Sequence, residues 1–160
     1  MNIGDFFITK HSNLSQVHAI FHLAANEKKP PTETTPTIPT SPSTPNKTLK
    51  QSDLSSRHPV ILGLRNILKA CSTNNINTLT LPLLLTHKMN EEMTISWVMK
   101  RAELVLKCLK GFMIEFVQWG TQDSMTIQFV VPQGLLDETF HSLSNLIPTI
   151  FRESRTVNLF

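Results

Sequence analysis

Residues 76–85 read INTLTLPLLL, a nearly unbroken run of apolar residues and threonine. A strand of this composition needs cover on both faces, which is typical of the central strand of a parallel sheet. Pro82 has no backbone N–H to donate, so we expect ladder pairing to end or bulge at this residue. The segment therefore predicts an α/β fold with a parallel sheet.

The segments after this strand complete a strand–helix–strand unit. Asn90, followed by Glu91 and Glu92, offers a helix cap and two carboxylates at the positive end of a helix dipole. The predicted long helix runs from there to about Val117, and Met125–Val131 follows as a second buried strand. A unit of this order closes as a right-handed parallel crossover. The apolar stripe of the helix consists of Ile95, Val98, Ala102, Val105, Leu109, Phe112 and Phe116.

Two further helices are predicted on either side of this unit. Pro59 suits the first turn of one helix, which should end at the polar residues 72–75. Asp137 is placed to cap a last helix, which Pro148 should break or kink. The apolar positions at helical spacing are Ile61, Leu64, Ile67, Leu68 and Cys71 in the first helix and Phe140, Leu143, Leu146 and Ile147 in the last.

Residues 1–26 predict a hairpin-like first segment of the same domain. Asp5–Thr9 is β-branched and aromatic, Val17–Leu23 alternates, and the polar residues between them are turn-like. His11, His18 and His22 lie close in sequence, yet neither a cysteine nor a carboxylate is placed to complete a metal site. We therefore predict two strands bordering a turn and no bound metal.

Residues 27–56 are rich in Thr, Ser, Pro, Asn and Lys and contain few large apolar side chains. Because no core forms from this composition, we predict a long disordered linker between residues 1–26 and the main α/β part at residues 57–160. Pro36, Pro39, Pro42 and Pro45 recur at every third residue, which would align them on one edge of a polyproline II helix. That edge could dock on a Pro-recognising module, with a stiff solvated spacer as the alternative.

Length and composition allow one domain and exclude several classes of protein. The chain has 160 residues, 40% of them hydrophobic, and a net charge of +3, which permits an acidic partner without implying one. Cys71 and Cys108 cannot form the disulfide framework of a small secreted domain, so we expect reduced thiols. No run approaches the ~18 apolar residues of a membrane helix, and Asp5 with Lys10 speaks against a signal peptide. We therefore expect a soluble intracellular protein without direct membrane insertion.

No motif of the sequence favours catalysis. There is neither a Gly-x-Ser-x-Gly turn nor a Walker-type loop, and His87, the best-placed histidine, has no nucleophile at a recognisable turn. Glu91 and Glu92 are better explained by helix capping than as a catalytic pair. We therefore predict that the protein is not an enzyme, with no catalytic residue and no cofactor.

Four basic residues are predicted on the outer side of the long helix: Lys100, Arg101, Lys107 and Lys110. They could contact RNA phosphates or an acidic partner. Glu103 and Glu115 dilute their charge, which favours a solvated face laced with salt bridges. The sequence leaves both interpretations open.

The order of these elements resembles the later two thirds of a macro domain. In macro domains the loop after the central strand carries glycines that wrap the phosphates of ADP-ribose, whereas this loop reads Thr86-His87-Lys88-Met89-Asn90. Glycine allows close backbone approach and positive φ, and His87 and Met89 remove that option. The resemblance therefore implies a degenerate loop that has lost its phosphate grip. The alternative is a macro-type module that binds or hydrolyses ADP-ribose.

The macro-domain resemblance also implies a partial sheet with flanking helices that lacks the first strands of the family. We therefore expect either a truncated sequence or a sheet completed by something else. The segments that carry the resemblance are Gly4–Thr9, the strand ending near His22, Leu64–Leu68, Thr78–Pro82 and Ile127–Val131.

A closer resemblance covers nearly the whole chain outside residues 27–56. Gly4–Ser15, Gly63–Lys69, Pro82–Leu85, Met89–Ile95 and Arg101–Val105 are similar to the C-terminal region of the family of FERRY complex subunit 3. The complex of that family is a five-subunit Rab GTPase effector that links messenger RNA to early endosomes. The resemblance implies a non-enzymatic scaffold in the cytoplasm, peripheral to early endosomes. Its partners would be the other subunits, with Rab GTPase and mRNA associated indirectly.

Overall fold

The computed structural model describes residues 1–10, 15–25, 55–86, 88–91, 93–118 and 124–152. These residues form a mixed arrangement of strands and helices, which confirms the predicted α/β class. Pro36, Pro39, Pro42 and Pro45 lie outside them, so the polyproline edge stays a prediction. The elements in chain order are β1 (Phe6–Thr9), β2 (Ile20–Leu23), α1 (Pro59–Thr73), β3 (Thr78–Pro82), α2 (Ile95–Gln118), β4 (Thr126–Val130) and α3 (Asp137–Phe151).

β3 and β4 precede and follow α2 in the chain, and they form the predicted parallel pair. Thr78 lies opposite Thr126 at one end of the pair, and Pro82 lies opposite Val130 at the other. The ladder ends at Pro82 as predicted, and the next N–H, that of Leu83, donates to the Val130 carbonyl at 2.9 Å. The strand–helix–strand unit is therefore confirmed, with its helix joining two parallel neighbours.

The expectation that β3 is a central strand covered on both faces is wrong for the described residues. Leu79 and Leu81 point to the core, whereas Thr78 and Thr80 are exposed. On the exposed face the Thr80 hydroxyl donates to the Gln128 side chain at 2.9 Å. Threonine suits a buried or a solvated face equally well, so the apolar and threonine run did not distinguish one covered face from two.

β1 and β2 pair antiparallel, with Phe6 opposite Leu23, as predicted for a hairpin. They do not join β3 and β4, so the described residues form two sheets of two strands instead of the single partial sheet expected. The hairpin packs against the first turns of α1, where a methyl group on Gly63 would overlap the carbonyl oxygen of Gly4. Gly4 has a φ of 88° and lies against the backbone of Pro59. Close backbone packing thus fixes the hairpin on this helix.

α1 has the predicted bounds because its ends are well signalled. The Nδ1 atom of His58 accepts a hydrogen bond from the Val60 N–H at 3.2 Å, and Pro59 occupies the first turn. At the other end the Asn74 side chain donates to a carbonyl of the last turn at 2.7 Å. Asn75 follows with a φ of 55°, a conformation that commonly ends helices.

α2 begins later than predicted, and Asn90 does not cap it. Thr94 takes that position, because its Oγ1 accepts a hydrogen bond from the Trp97 N–H at 3.2 Å. The delay has a tertiary cause, since the Met89 N–H donates to the Gln133 carbonyl at 3.0 Å. This bond keeps the chain extended beside the β4–α3 connection where the helix was expected to start.

α3 begins at Asp137 as expected, but Leu136 is the residue at its N-cap and supplies no side-chain hydrogen bond. Asp137 and Glu138 instead occupy the first turn, where their charge complements the helix dipole. The helix continues through Pro148, so a break does not occur there, and the alternative of a kink stays a prediction. Pro148 and Ser144, whose carbonyl loses its donor, are both exposed, so water is able to replace the missing hydrogen bond.

The helices pack on one face of the parallel sheet, with α2 in contact with both α1 and α3. The predicted stripe of α2 is buried from Val98 to Phe112, whereas Ile95 is 53% exposed. Phe140, predicted on the inner face of α3, is also exposed. The largest fully buried side chains are Phe112, Leu68, Leu83, Leu84, Leu106, Leu109, Leu143, Val60, Val98, Val105 and Cys71.

Candidate functional site

The carboxyl ends of β3 and β4 lie side by side, and the chain leaves each of them through a short connection. After β3, Leu85 adopts a φ of 53°, and its N–H donates to the Pro82 carbonyl at 2.9 Å. Lys88 then forms a parallel bridge with Gln133 in the second connection. In α/β proteins this edge of a parallel sheet is the common position for ligands. The two connections are therefore the first place to look for a site.

A cleft of about 460 Å³ opens between the two connections and the start of α2. Gly134 lines the cleft from the second connection and has a φ of 81°. Most of the lining is apolar, and two of the six apolar side chains are adaptable methionines. The apolar lining consists of Met89, Met93, Ile95, Val98, Leu135 and Leu136, and the polar lining of Lys88, Asn90, Glu91, Gln133 and Thr139.

Thr139 gives this cleft its one deeply buried polar side chain among the described residues. The residue is 3% exposed and lines the cleft from the first turn of α3. Its hydroxyl takes part in none of the hydrogen bonds found in the described residues, although Ser142 and Ser144 of the same helix donate to backbone carbonyls. The cleft therefore combines aliphatic walls with a hydroxyl available to a bound group.

The predicted loop, residues 86–90, contributes to this cleft in part. Lys88, Met89 and Asn90 line it, whereas the Thr86 hydroxyl donates to the Lys88 carbonyl at 3.3 Å. His87 lies outside the described residues. The Met89 N–H already donates to Gln133, so this donor is occupied within the fold. Whether the loop has lost a phosphate grip stays a prediction.

Two of the four basic residues predicted as a contact surface form hydrogen bonds with backbone carbonyls within the fold. The Nε of Arg101 donates to the Leu84 carbonyl at 2.8 Å, and its guanidinium lies 5.0 Å from the centre of the Trp97 ring. Lys110 reaches across to α3 and donates to the Ile150 carbonyl at 2.7 Å. A cation is favourable at this carboxyl end of a helix. Both side chains therefore have structural partners.

Lys100 and Lys107 lie together on the exposed side of α2. Both donate to Glu103, and the Lys100 bond measures 3.2 Å. The hydrogen bonds from Lys107 and Lys100 lower the pKa of the Glu103 carboxyl. The structure thus brings two of the four basic residues together around an acid, as in the salt-bridged interpretation, and places the other two elsewhere.

Sequence reasoning missed a connection between α1 and α2. Arg65 forms an ion pair with Glu115, and the nearby Cys108 thiol donates to the Ile61 carbonyl at 3.7 Å. Burial raises the pKa of Cys108 against the opposing effect of Arg65, and burial alone raises the pKa of Cys71 to about 11. Both cysteines are free thiols, and at neutral pH neither is the thiolate that nucleophilic chemistry needs.

Sequence reasoning also missed the apolar surface around the cleft. Ile95 and Leu136 both line the cleft and are more than half exposed. Phe140, one helical turn after Leu136, is exposed as well. Residues 135–136 lie at the end of the connection between β4 and α3, so the only available signal was a pair of leucines ahead of a helix start. We call Ile95 and Leu136 the cleft rim.

The described residues contain neither a metal-binding cluster nor a membrane-spanning helix. Within residues 1–10, 15–25, 55–86, 88–91, 93–118 and 124–152, no three His, Cys, Asp or Glu side chains are grouped to hold a metal ion. No helix in this part of the chain has the length and apolar character needed to cross a membrane.

Comparison with known proteins identifies similar sequences across nearly the whole chain. The family model described as Ferry endosomal RAB5 effector complex subunit 3 matches residues 1–157. The FERRY endosomal RAB5 effector complex subunit 3 of Rattus norvegicus is 46% identical over 156 residues, which cover 98% of this chain and 25% of the rat protein. The Homo sapiens protein of the same description gives the same identity and coverage. The chain thus spans about a quarter of the length of these relatives, and no solved structure matches it.

Proposed function

This chain belongs to the Ferry endosomal RAB5 effector complex subunit 3 family, and we propose that it acts as a scaffold part of subunit 3 in such a complex. The observation that carries the proposal is the 46% identity over 98% of the chain, which includes the hairpin and the helical part. The relatives are described as a subunit of an endosomal RAB5 effector complex. The proposed activity is therefore assembly, with burial of apolar surface against other subunits.

The surface of the protein supports an assembly role. Large apolar side chains are exposed at the cleft rim and again at the end of α2, where Ile114 and Val117 are 53% and 74% exposed. Contiguous apolar surface on a protein commonly marks a site of protein–protein contact. We propose that these surfaces are covered by the other subunits, which are the direct partners of the chain.

The proposed role is non-enzymatic and peripheral to the membrane. The raised pKa of both cysteines supports a chain that does not act through a thiol nucleophile. In this proposal the chain reaches early endosomes from the cytoplasm through the complex. Its association with a Rab GTPase and with mRNA is indirect, through neighbouring subunits.

The test is recovery of the complex. The chain, carrying a small affinity tag, is expressed in cells and purified under mild conditions. The expected result is co-purification of the other subunits in constant ratio across a sizing column. A chain that elutes as a monomer, free of other subunits, would contradict the proposal.

A macro-type module that binds or hydrolyses ADP-ribose is the second candidate function. The position of the cleft at the carboxyl ends of two parallel strands favours it. Against it stand the apolar lining and the Met89 N–H already bonded to Gln133. Titration calorimetry with ADP-ribose separates the two candidates, because micromolar binding abolished by a bulky residue at Gly134 would support the module. We expect no binding heat.

A further inference from the structure

The cleft beside the β3 and β4 ends has the character of a contact site for an apolar group. Its walls are aliphatic, and the side chains of Ile95 and Leu136 continue from inside the cleft to the surface. Leu136 is 68% exposed although it directly precedes a well-formed helix. Single exposed apolar residues are ordinary, but a group continuous with a cleft indicates an interaction site.

Thr139 indicates that the bound group also carries a hydrogen-bonding atom. The Thr139 hydroxyl oxygen is not among the fully buried unpaired atoms of the described residues, so it is reachable from the cleft, where a bound group has to replace its hydrogen bonds to water. Leu136 supplies no side-chain acceptor at the start of α3, so the backbone N–H donors of this first turn have no side-chain cap from it. Hydroxyl and donors together suit an acceptor such as a peptide carbonyl.

The charges around the cleft discriminate between a neutral and an anionic acceptor. Asp137 and Glu138 are in the same turn as Thr139, and Glu91 lines the opposite connection. Lys88 is the only cation that lines the cleft among the described residues. Asp137 and Glu138 flank the cleft without lining it, and with Glu91 they outnumber Lys88, so the local excess of negative charge disfavours a phosphate or a carboxylate and favours lysine or arginine. The surroundings therefore favour a basic segment with a neutral backbone acceptor.

We infer that the cleft receives a segment of a partner subunit in which an aliphatic side chain is flanked by lysine or arginine. The aliphatic side chain packs between Met89, Met93 and Leu136, and a backbone carbonyl beside it accepts a hydrogen bond from Thr139. The flanking cation lies near Glu91 or Asp137. This inference rests on the proposed function, because it requires that the chain assembles with other subunits.

Crosslinking within the purified complex tests the position of the partner. Leu136 is replaced by p-benzoylphenylalanine, and the matched control carries the same replacement at Leu62, a 47% exposed residue of α1 outside the cleft. Irradiation should link position 136, and not position 62, to one stretch of another subunit with the stated composition. A link to an acidic or wholly polar stretch, or no link to any subunit from position 136, would overturn the inference.

Substitution of the hydroxyl supplies a second test with a readout that a structural role would not give. T139V keeps the shape of the side chain and removes a group that has no partner in the described part of the chain. We expect the affinity for the partner subunit to fall roughly fivefold to tenfold, the value of one hydrogen bond, while the midpoint of thermal unfolding is unchanged or higher. T149V on the exposed side of α3 is the control and should alter neither quantity.

The two proposals fail in different ways. If the unmodified chain recovers no other subunit, the proposed function is wrong. If the complex forms normally and T139V binds the partner subunit as tightly as the unmodified chain does, only the cleft inference is wrong. Calorimetry with inorganic pyrophosphate completes the set, since binding in the cleft would contradict the charge argument and overturn the inference.

Discussion

The antiparallel pair β1–β2 is held on α1 by backbone contact, whereas the parallel pair β3–β4 is held on the helices by side chains. At the hairpin, Gly63 of α1 lies directly against Gly4, and a single added methyl group has no room. At the parallel pair, Leu81 is 4% exposed and belongs to the main cluster of buried side chains, with Leu79 packed against it.

The difference between the two pairs indicates how each tolerates change. A contact between two backbones depends on the absence of side chains and cannot repack when one is added. A contact between aliphatic side chains depends on volume and adapts to a substitution that conserves it. The hairpin should therefore be sensitive to added atoms, and the parallel pair to removed ones.

Removal of side-chain volume from the parallel pair should have the largest effect. We expect L81A to lower the free energy of unfolding by ~2–5 kcal/mol, because it deletes a buried aliphatic group from the core. The volume-conserving L81M should cost less than about 1.5 kcal/mol. Denaturant unfolding followed by circular dichroism measures both. Equal losses in the two variants would show that this contact does not depend on volume.

Addition of a methyl group to the hairpin contact should have the next largest effect. We expect G63A to destabilise the protein by ~1–3 kcal/mol, because the carbonyl of Gly4 has to move. The loss should concentrate in the hairpin, so hydrogen exchange of the β1 and β2 amides should accelerate more than exchange in α2. Unchanged protection of β1 and β2 would contradict the backbone-contact interpretation.

The same substitution elsewhere in a helix should have the opposite sign. Gly111 lies within α2, and nothing within 4 Å would meet a methyl group placed on it. Because alanine is the better helix former, we expect G111A to raise the free energy of unfolding by ~0.5–1 kcal/mol. Thermal unfolding of G111A and G63A in parallel separates the effect of neighbours from that of helix propensity. If G111A destabilised the protein, it could not serve as the control for helix propensity in the comparison with G63A.

The strand–helix–strand unit could be predicted because its signals are local. The bounds of α1 follow from a proline at its start and the asparagines at its end, and the last residue pair of β3 falls at Pro82, where the sequence placed it. The start of α2 was missed because the bond between Met89 and Gln133 joins residues far apart in sequence. A single sequence does not show which distant residues will pair, because that pairing depends on the register of the folded strands.

The candidate site could be predicted only in part for the same reason. Residues 86–90 were identified as a loop at the end of the first parallel strand, and three of them line the cleft. The other wall is formed by residues 133–136, whose sequence carries no motif for binding. The carbonyl acceptors of Arg101 and Lys110 were also hidden, since any residue presents a backbone carbonyl.

Neither attachment depends on surface charge, and the Glu103 cluster should therefore give the smallest effect. The folded-state pKa of the Glu103 carboxyl lies below the ordinary value of 4.5. The stabilisation by its bonds to Lys107 and Lys100 is therefore present above pH 4.5 and is lost as the pH falls through the lower folded value. We expect E103Q to cost a few tenths of a kcal/mol at pH 7 and less as the pH falls through the folded value. An NMR titration of Glu103 with a midpoint at or above 4.5 would contradict the hydrogen bonds from Lys107 and Lys100. A loss above about 1 kcal/mol would instead show that charge on the surface of α2 contributes as much to stability as the hairpin contact does. The comparison of the two strand pairs would then have to include that surface.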